Sequence, residues 1–511
     1  MTKLRILPNI RIRKIILNDF RNICHAEVDI PGGKISEYLN GDSSILGLYG
    51  QNGSGKTSLV MAISALKCAL SGSRFIYADY ASCIRAGCES CKLEFEFSAY
   101  SDKEIKYDLY YSFKMAIDVS DVEIQNHFEL INSALEAYGL KDAVNEKGKA
   151  ELAKQFGPKN KKIKIYDEIL QVGSQAADGK KSNKQIVIDT TDNACNASGK
   201  VFGNKRKYEQ LTKNCEAGID SILLKAKIEA EIKSTSFIFS SKVINKLVSG
   251  SEIATYKIVL RALKNFGINK LFAITMYMNA TNSFNTMIVS VSSYLDDDGP
   301  YGFTFPLELN QSNACRIDFY PDLRRIIGSI SSVISNIVPG LSIEIEETGK
   351  SRSEDGQDVI MYDMVSVRNG TRIPLAYESD GIRRIISFLS ILTAVYNDPS
   401  VTLAIDEIDS GIFEYMLGEL LAIMNESAKG QLIFTSHNLR PLEVLPYKNL
   451  LFTTINPENR FTKLDGISGN NNLRDSYFRS IILGSGKDAF YDATDTFTIE
   501  QAFYEAGLPQ E

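Results

Sequence analysis

Eight residues, Gly50-Gln51-Asn52-Gly53-Ser54-Gly55-Lys56-Thr57, constrain this chain more than any other stretch. They satisfy G-x-x-x-x-G-K-[ST] at every fixed position. Ser44 to Tyr49 before them predict a buried strand. Leu59, Val60, Ile63 and Leu66 after them lie at helical spacing and predict a helix over 58–70. A glycine loop between a strand and a helix presents successive backbone N–H groups and a helix N-terminus, a positive concavity suited to phosphate oxygens. In such a loop Gly50, Asn52, Gly53, Ser54, Gly55 and Ser58 surround the phosphates. Lys56 reaches the β- and γ-phosphates, and Thr57 offers its hydroxyl to Mg2+. A glycine-rich turn with no ligand is the plainer alternative. Motif and context together favour a nucleoside triphosphate.

Composition limits the setting. A chain of 511 residues is too long for one small core and predicts two or three domains. The net charge of −6 leaves no overall basic balance for nucleic acid, although local patches could serve. No run of about 18 apolar residues predicts a membrane span, and the first residues lack the apolar run of a signal peptide. Eight cysteines in so long a chain do not make a disulfide framework, so a reducing cytoplasm fits.

Residues 10–30 alternate like two paired strands, as do Lys92–Ser98 and Tyr107–Phe113, so an antiparallel sheet is expected beside the glycine loop. Residues 116–215 are polar and turn-rich, with short strand candidates at Ile163–Ile165 and Ile186–Ile188. Residues 216–270 read helical. Residues 271–295 and 340–377 return to strand patterns, Asp322–Ile337 and Gly381–Tyr396 to helix, and the last forty residues to a short helical appendage.

A second set of residues suits the same chemistry. Val401 to Ile405 form a short apolar run that ends in Asp406-Glu407. Asp406 there would hold the Mg2+ shell and Glu407 would polarise the attacking water, because the metal and the water proton both need an anionic oxygen. Leu432 to Ser436 form another apolar run, ending at His437, one of only three histidines. At a strand end beside two acids, that imidazole can donate to a γ-phosphate. Glu378-Ser379-Asp380-Gly381 opens a helix, with Ser379 as cap and Gly381 allowing close backbone approach.

The order of these elements resembles the SMC/RecF/OLD-like ABC-type ATPases over roughly residues 8–115 and 315–465. Ile15 to Asn22 are similar to their opening strand. The resemblance implies an α/β fold: a P-loop ABC-type head with a mixed sheet, a flanking antiparallel sheet and a mostly α insertion. It implies lobes at 1–115 and 301–465, an insertion at 116–300 and a helical tail at 466–511. It assigns Ser379 and Gly381 to the γ-phosphate held by the opposite subunit, Asp409 to the dimer interface and His437 to the switch histidine. A homo-oligomer follows. The chain departs from the usual signature, since Glu378-Ser379-Asp380-Gly381-Ile382 stands where Leu-Ser-Gly-Gly-Gln is usual. No glutamine lies between Gln51 and Gln125 to form a glutamine loop. Heptads are absent between Lys56 and Ser379, so a compact member is expected rather than one with a coiled-coil arm. Compact bacterial ATPases of anti-phage systems, such as AriA of PARIS and PtuA of Septu, are similar. On that resemblance the chain senses or scaffolds, and a separate nuclease or toxin is the effector, since only 74 residues follow His437. A RecF-like repair ATPase that binds DNA directly and a non-catalytic nucleotide-dependent scaffold are the alternatives.

Three further groups stand apart. Cys83, Cys88 and Cys91 could hold zinc only with a fourth ligand, and ordinary thiols are the simpler reading. Lys159, Lys161, Lys162, Lys164, Lys180, Lys181, Lys184, Lys205, Arg206 and Lys207 could meet nucleic-acid phosphates or simply be solvated. Arg383 and Arg384 either add charge near the triphosphate or line a salt-bridged helix face.

Overall fold

A computed structural model describes residues 7–34, 37, 44–101, 105–119, 161–175, 182–191, 209, 219–250, 254–275, 286–295, 299–353, 356–464, 473–483, 489–490 and 496–506. Two six-stranded sheets dominate it. The first is antiparallel, with strand order β2-β1-β4-β5-β6-β7. Its members are β1 (Asn9–Phe20), β2 (Ile23–Asp29), β4 (Ser90–Ser101), β5 (Ile105–Val119), β6 (Lys161–Gln175) and β7 (Gln185–Asp189). The second has the order β18-β17-β3-β16-β15-β8. Here β3 (Ile45–Tyr49), β8 (Leu271–Ile274), β15 (Thr402–Ile405), β16 (Gln431–Thr435) and β17 (Leu450–Thr453) run parallel, and β18 (Phe461–Thr462) is antiparallel. The short parallel strands are mostly apolar because both faces are covered.

Helix α1 (Lys56–Ser71) explains why the sheets stay together. It is buried from Leu59 to Leu66 on every side, as expected of a helix packed between layers. Its side chains share one core with β1, β4, β5 and β6. Polar contacts tie the sheets as well. Gln431 on β16 copies a strand partner: its Oε1 accepts from Ile12 N at 2.8 Å and its Nε2 donates to Ile12 O at 2.8 Å. Arg11 is fully buried, and its guanidinium donates to Gly32 O, Pro399 O and Lys429 O at 2.7–2.9 Å.

Helices α2 (Ile219–Lys233), α3 (Ser241–Gly250) and α4 (Ala254–Asn265) close one side, and a π-turn over Phe266–Lys270 leads from α4 into β8. A hairpin of β9 (Thr286–Leu295) and β10 (Gly299–Glu308) follows. A third antiparallel sheet orders β11 (Asn313–Arg316), β13 (Asp358–Arg368) and β12 (Leu341–Arg352), with β14 (Thr371–Pro374) on β13. Helices α5 (Tyr320–Ile337), α6 (Asp380–Asn397) and α7 (Glu414–Ser427) complete a second core with it, and α8 (Leu473–Leu483) and α9 (Thr496–Ala506) end the chain.

The range 116–300 supplies α2, α3 and α4, and its strands join the sheets of the flanking segments. β6 and β7 extend the first sheet, and β8 is the edge of the second beside β15. Residue 115 falls inside β5 and residue 300 inside β10. The Ile163–Ile165 candidate is part of a fifteen-residue strand. Its alternation reverses phase at Asp167, which has φ 50°. Ile163 and Ile165 are buried before it and Glu168, Leu170 and Val172 after it, opposite a register shift in β5.

Candidate functional site

In open α/β sheets, groups at the carboxyl ends of parallel strands converge on one crevice. β3 ends at Tyr49 and releases Gly50, β15 ends at Ile405 and releases Asp406-Glu407, and β16 ends at Thr435 ahead of His437. The three ends neighbour one another because β16 pairs with both β3 and β15. A cavity of about 540 Å3 opens there. Asn52, Gly53, Gly55, Lys56, Thr57, Ser58, Asp406, Glu407 and His437 are part of its lining, whereas Gly50 and Ser54 of the same loop are not.

The loop geometry follows from its glycines. Gly50 has φ 153°, and a Cβ there would stand 1.8 Å from Thr453 Oγ1. Gly53 has φ 77°, and Gly55, at φ 105°, is the left-handed N-cap of α1. The buried Ser54 hydroxyl donates to Gln51 O at 2.6 Å and contacts Thr453 Oγ1. Lys56 is buried, and its Nζ donates to Gly50 O at 2.6 Å and Gln51 O at 3.0 Å. Burial lowers its pKa to about 8, against the opposing pull of Asp406, Glu407 and Asp409.

Thr57 Oγ1 donates to Asp406 Oδ1 at 3.2 Å. These two hard oxygen donors could hold Mg2+, which commonly keeps few protein ligands and completes its shell with water and phosphate. Thr435 ties the acids together. Its hydroxyl donates to Asp406 Oδ1 at 2.6 Å and accepts from Glu407 N at 2.8 Å. Glu407 adopts φ 51°, an uncommon backbone for a non-glycine residue and one that clusters at functional sites. Asp409 Oδ2 accepts from His437 N at 3.1 Å and Asn438 N at 2.9 Å, so the acidic loop also holds the histidine's backbone.

Ser379 and Gly381 do not line the cavity. Ser379 is exposed and caps α6, its Oγ accepting from Ile382 N at 3.3 Å. Arg383 pairs with Asp380 on the first turn of α6. Arg384 instead crosses to the acidic loop, donating to Ser410 Oγ and to Glu407 O at 3.2 Å.

Several cavity residues carried no assignment from the sequence. Arg21 and Asn22 line it from the turn after β1, and Ser82, Ile84 and Ala86 from the segment before β4. Asn22 holds the glycine loop: its Nδ2 donates to Gly53 O and its Oδ1 accepts from Ser58 Oγ at 3.3 Å. In the sequence Phe20-Arg21-Asn22 is a mark of resemblance only, and nothing there brings it against a loop 30 residues away.

Cys83 and Cys91 are buried in the core beside the turn, and burial pushes the Cys83 thiol up to about 12. Among the described residues no group of three or more His, Cys, Asp or Glu side chains forms a metal cluster. Of the insertion cations, Lys161, Lys162, Lys164 and Lys184 are described and the others lie outside the described residues. Lys162 is buried, donating to Glu231 O at 3.2 Å and facing Asp118, and Lys184 pairs with Glu96 at 3.5 Å. No described helix is long and apolar enough to cross a membrane.

Solved structures match most of the chain at low identity and low TM-score. The Smc head domain with an extended coiled coil bound to the C-terminal domain of ScpA, from Pyrococcus furiosus, is 11% identical, with 89% of this chain and 96% of that chain covered and a TM-score of 0.37. An Smc head domain with a coiled coil and joint from Pyrococcus yayanosii is 12% identical, with coverage of 92% and 99% and a TM-score of 0.38. The recombination mediator protein RecF with ATP is 11% identical, with coverage of 84% and 92% and a TM-score of 0.31. No curated protein matches the chain. Residues 11–440, from β1 past His437, match the AAA ATPase domain model, and this chain therefore belongs to the AAA ATPase domain family.

Proposed function

We propose that this protein binds ATP with Mg2+ and hydrolyses it as an ABC-type ATPase whose sites are completed when two heads pair. One separation carries the reading. Lys56, Thr57, Asp406, Glu407 and His437 share a cavity, whereas Ser379 stands exposed outside its lining. That arrangement suits a signature serine that serves a nucleotide held by another copy. Tyr377, two residues before it, is 81% exposed, and beyond the acidic loop Phe413 is 70% exposed and Tyr415 59%. Exposed apolar groups of this kind mark protein contact when they cluster, and the Phe413 and Tyr415 rings lie 5.9 Å apart.

In this reading Lys56 and the glycine-loop amides bind the β- and γ-phosphates. Thr57 and Asp406 would hold Mg2+, which supplies charge neutralisation at the phosphate oxygens. Glu407 takes the proton of the attacking water as its oxygen bonds to the γ-phosphorus. The bond to the β–γ bridging oxygen breaks and ADP leaves, while His437 donates to a γ-phosphate oxygen. We further propose that the cycle gates a separate nuclease or toxin in anti-phage defence, in the cytoplasm. Support for that role is the resemblance to compact defence ATPases, together with the exposed Phe497, Phe503 and Tyr504 on α9 as a surface for a partner.

The test is a pair of variants. Lys56→Ala is expected to abolish nucleotide binding. Glu407→Gln is expected to bind ATP normally and to lower its turnover by about 100-fold or more, the scale on which catalytic groups act. Turnover at the wild-type rate in Glu407→Gln would remove the carboxylate from its role. A wild-type protein that binds ATP and never hydrolyses it would instead be a nucleotide-dependent scaffold.

A further inference from the structure

Glu407 occupies a left-handed backbone conformation, which needs restraint from its surroundings. Its N–H is held by Thr435 Oγ1 at 2.8 Å. Its carbonyl is held from the other side of the loop, and the donor is a side chain of the helix that begins with Ser379. Arg384, on the second turn of α6, donates to Glu407 O at 3.2 Å and to the Ser410 hydroxyl. Ser410 N also donates to Glu407 O, at 3.0 Å. The stem of Arg384 packs on Gly411, which has φ 76°, and a Cβ at that glycine would stand 3.2 Å from Arg384 Cδ. Residues 407–411 are thus shaped around this one guanidinium.

We infer that Arg384 is a positioning residue for Glu407, holding the carboxylate-bearing backbone from the signature helix without touching nucleotide itself. The inference rests on the reading of Glu407 as the base. Arg384 is not part of the cavity lining. It is half-buried and sits beside Glu407 and Asp409, whose charges favour the guanidinium against the cost of burial. A planar fork reaches two acceptors at once, which an ammonium cannot do as well. Arg383, the preceding residue, is turned to Asp380 and Ala376 O and has no contact of this kind.

The experiment uses Arg384→Met, which keeps the stem over Gly411 and removes every donor, with Arg384→Lys as the conservative variant. ATP affinity is read by equilibrium titration, kcat and KM by steady-state hydrolysis, and loop order by amide hydrogen exchange. The expected result for Arg384→Met is ATP affinity within about twofold of wild type and kcat lowered about tenfold, the scale of one lost charge-assisted hydrogen bond. Exchange at Ser410 N should be faster, and Arg384→Lys should recover part of the rate. In a Glu407→Gln background, Arg384→Met should cause no further loss, because residues that act as a unit are non-additive. Unchanged kcat, a raised KM at unchanged kcat, or the same tenfold loss in both backgrounds would overturn the inference. Wild-type turnover in Glu407→Gln alone would instead overturn the assignment of the base. Arg384→Ala gives the same comparison if Arg384→Met does not fold.

Discussion

Lys56 is the residue whose environment makes the sharpest claim. Burial holds its pKa near 8 in the nucleotide-free chain, below the ordinary 10.5. The unfolded chain therefore binds more protons than the folded one between those two values. The cost of burying this ammonium is complete below pH 8 and fades as pH rises toward 10.5. A triphosphate reverses the balance, because its negative charge favours the ammonium. ATP binding at pH 8 should therefore take up about half a proton per site, falling toward zero at pH 6. Titration calorimetry in buffers of different ionisation enthalpy measures this directly. No uptake anywhere between pH 8 and pH 10 would mean that phosphate does not meet Lys56. The lysine itself was legible from the loop spacing. Thr435 was not: a threonine inside a buried strand reads as ordinary strand composition, and only the pairing of β16 with β15 shows it between Asp406 and Glu407. Arg384 was legible as a cation near the signature, but its direction across to Ser410 depends on how α6 packs.

At the scale of elements, the glycine loop is held from outside as much as by its own turn. Gly50 abuts Thr453 on β17, and Gly53 meets no atom within 4 Å of an added Cβ. Both have positive φ, so alanine is strained at either position. Only at Gly50 must a neighbouring strand also move. Gly50→Ala should therefore weaken ATP by about 2 kcal/mol or more, roughly thirtyfold, on the scale of overpacking a tight site. Gly53→Ala should cost about 1 kcal/mol in the same titration. Equal losses would show that β17 does not support the loop. The sequence made β3, α1 and the glycine loop plain, because strand, loop and helix are contiguous there. It could not give the partner β17, which lies some 400 residues away. The long β6 was hidden for a different reason: the bulge at Asp167 switches the buried side from odd to even positions, so a strict period of two finds only fragments.

For the whole molecule, the division between a gathered cavity and an exposed Ser379 sets a test of assembly. If a second copy brings its Ser379 to the nucleotide, slowing hydrolysis should hold the pair together. Glu407→Gln with Mg2+ and ATP should then show about twice the mass of the nucleotide-free protein, by light scattering on a sizing column. A bulky charge at the signature should block the pairing and leave the cavity intact, since Ser379 is exposed and outside its lining. Ser379→Arg in the Glu407→Gln background should therefore remain the size of the nucleotide-free protein while binding ATP with affinity within about threefold. The lost N-cap costs about 1 kcal/mol, less than the roughly 5–15 kcal/mol by which a domain is stable, so the variant should still fold. Two other results are informative. Undiminished assembly in Ser379→Arg would place the contact elsewhere, with the exposed Phe413 and Tyr415 as the next surface to alter. Lost ATP affinity in the same variant would mean that Ser379 serves the nucleotide of its own chain, and the requirement for a second head would fall with it.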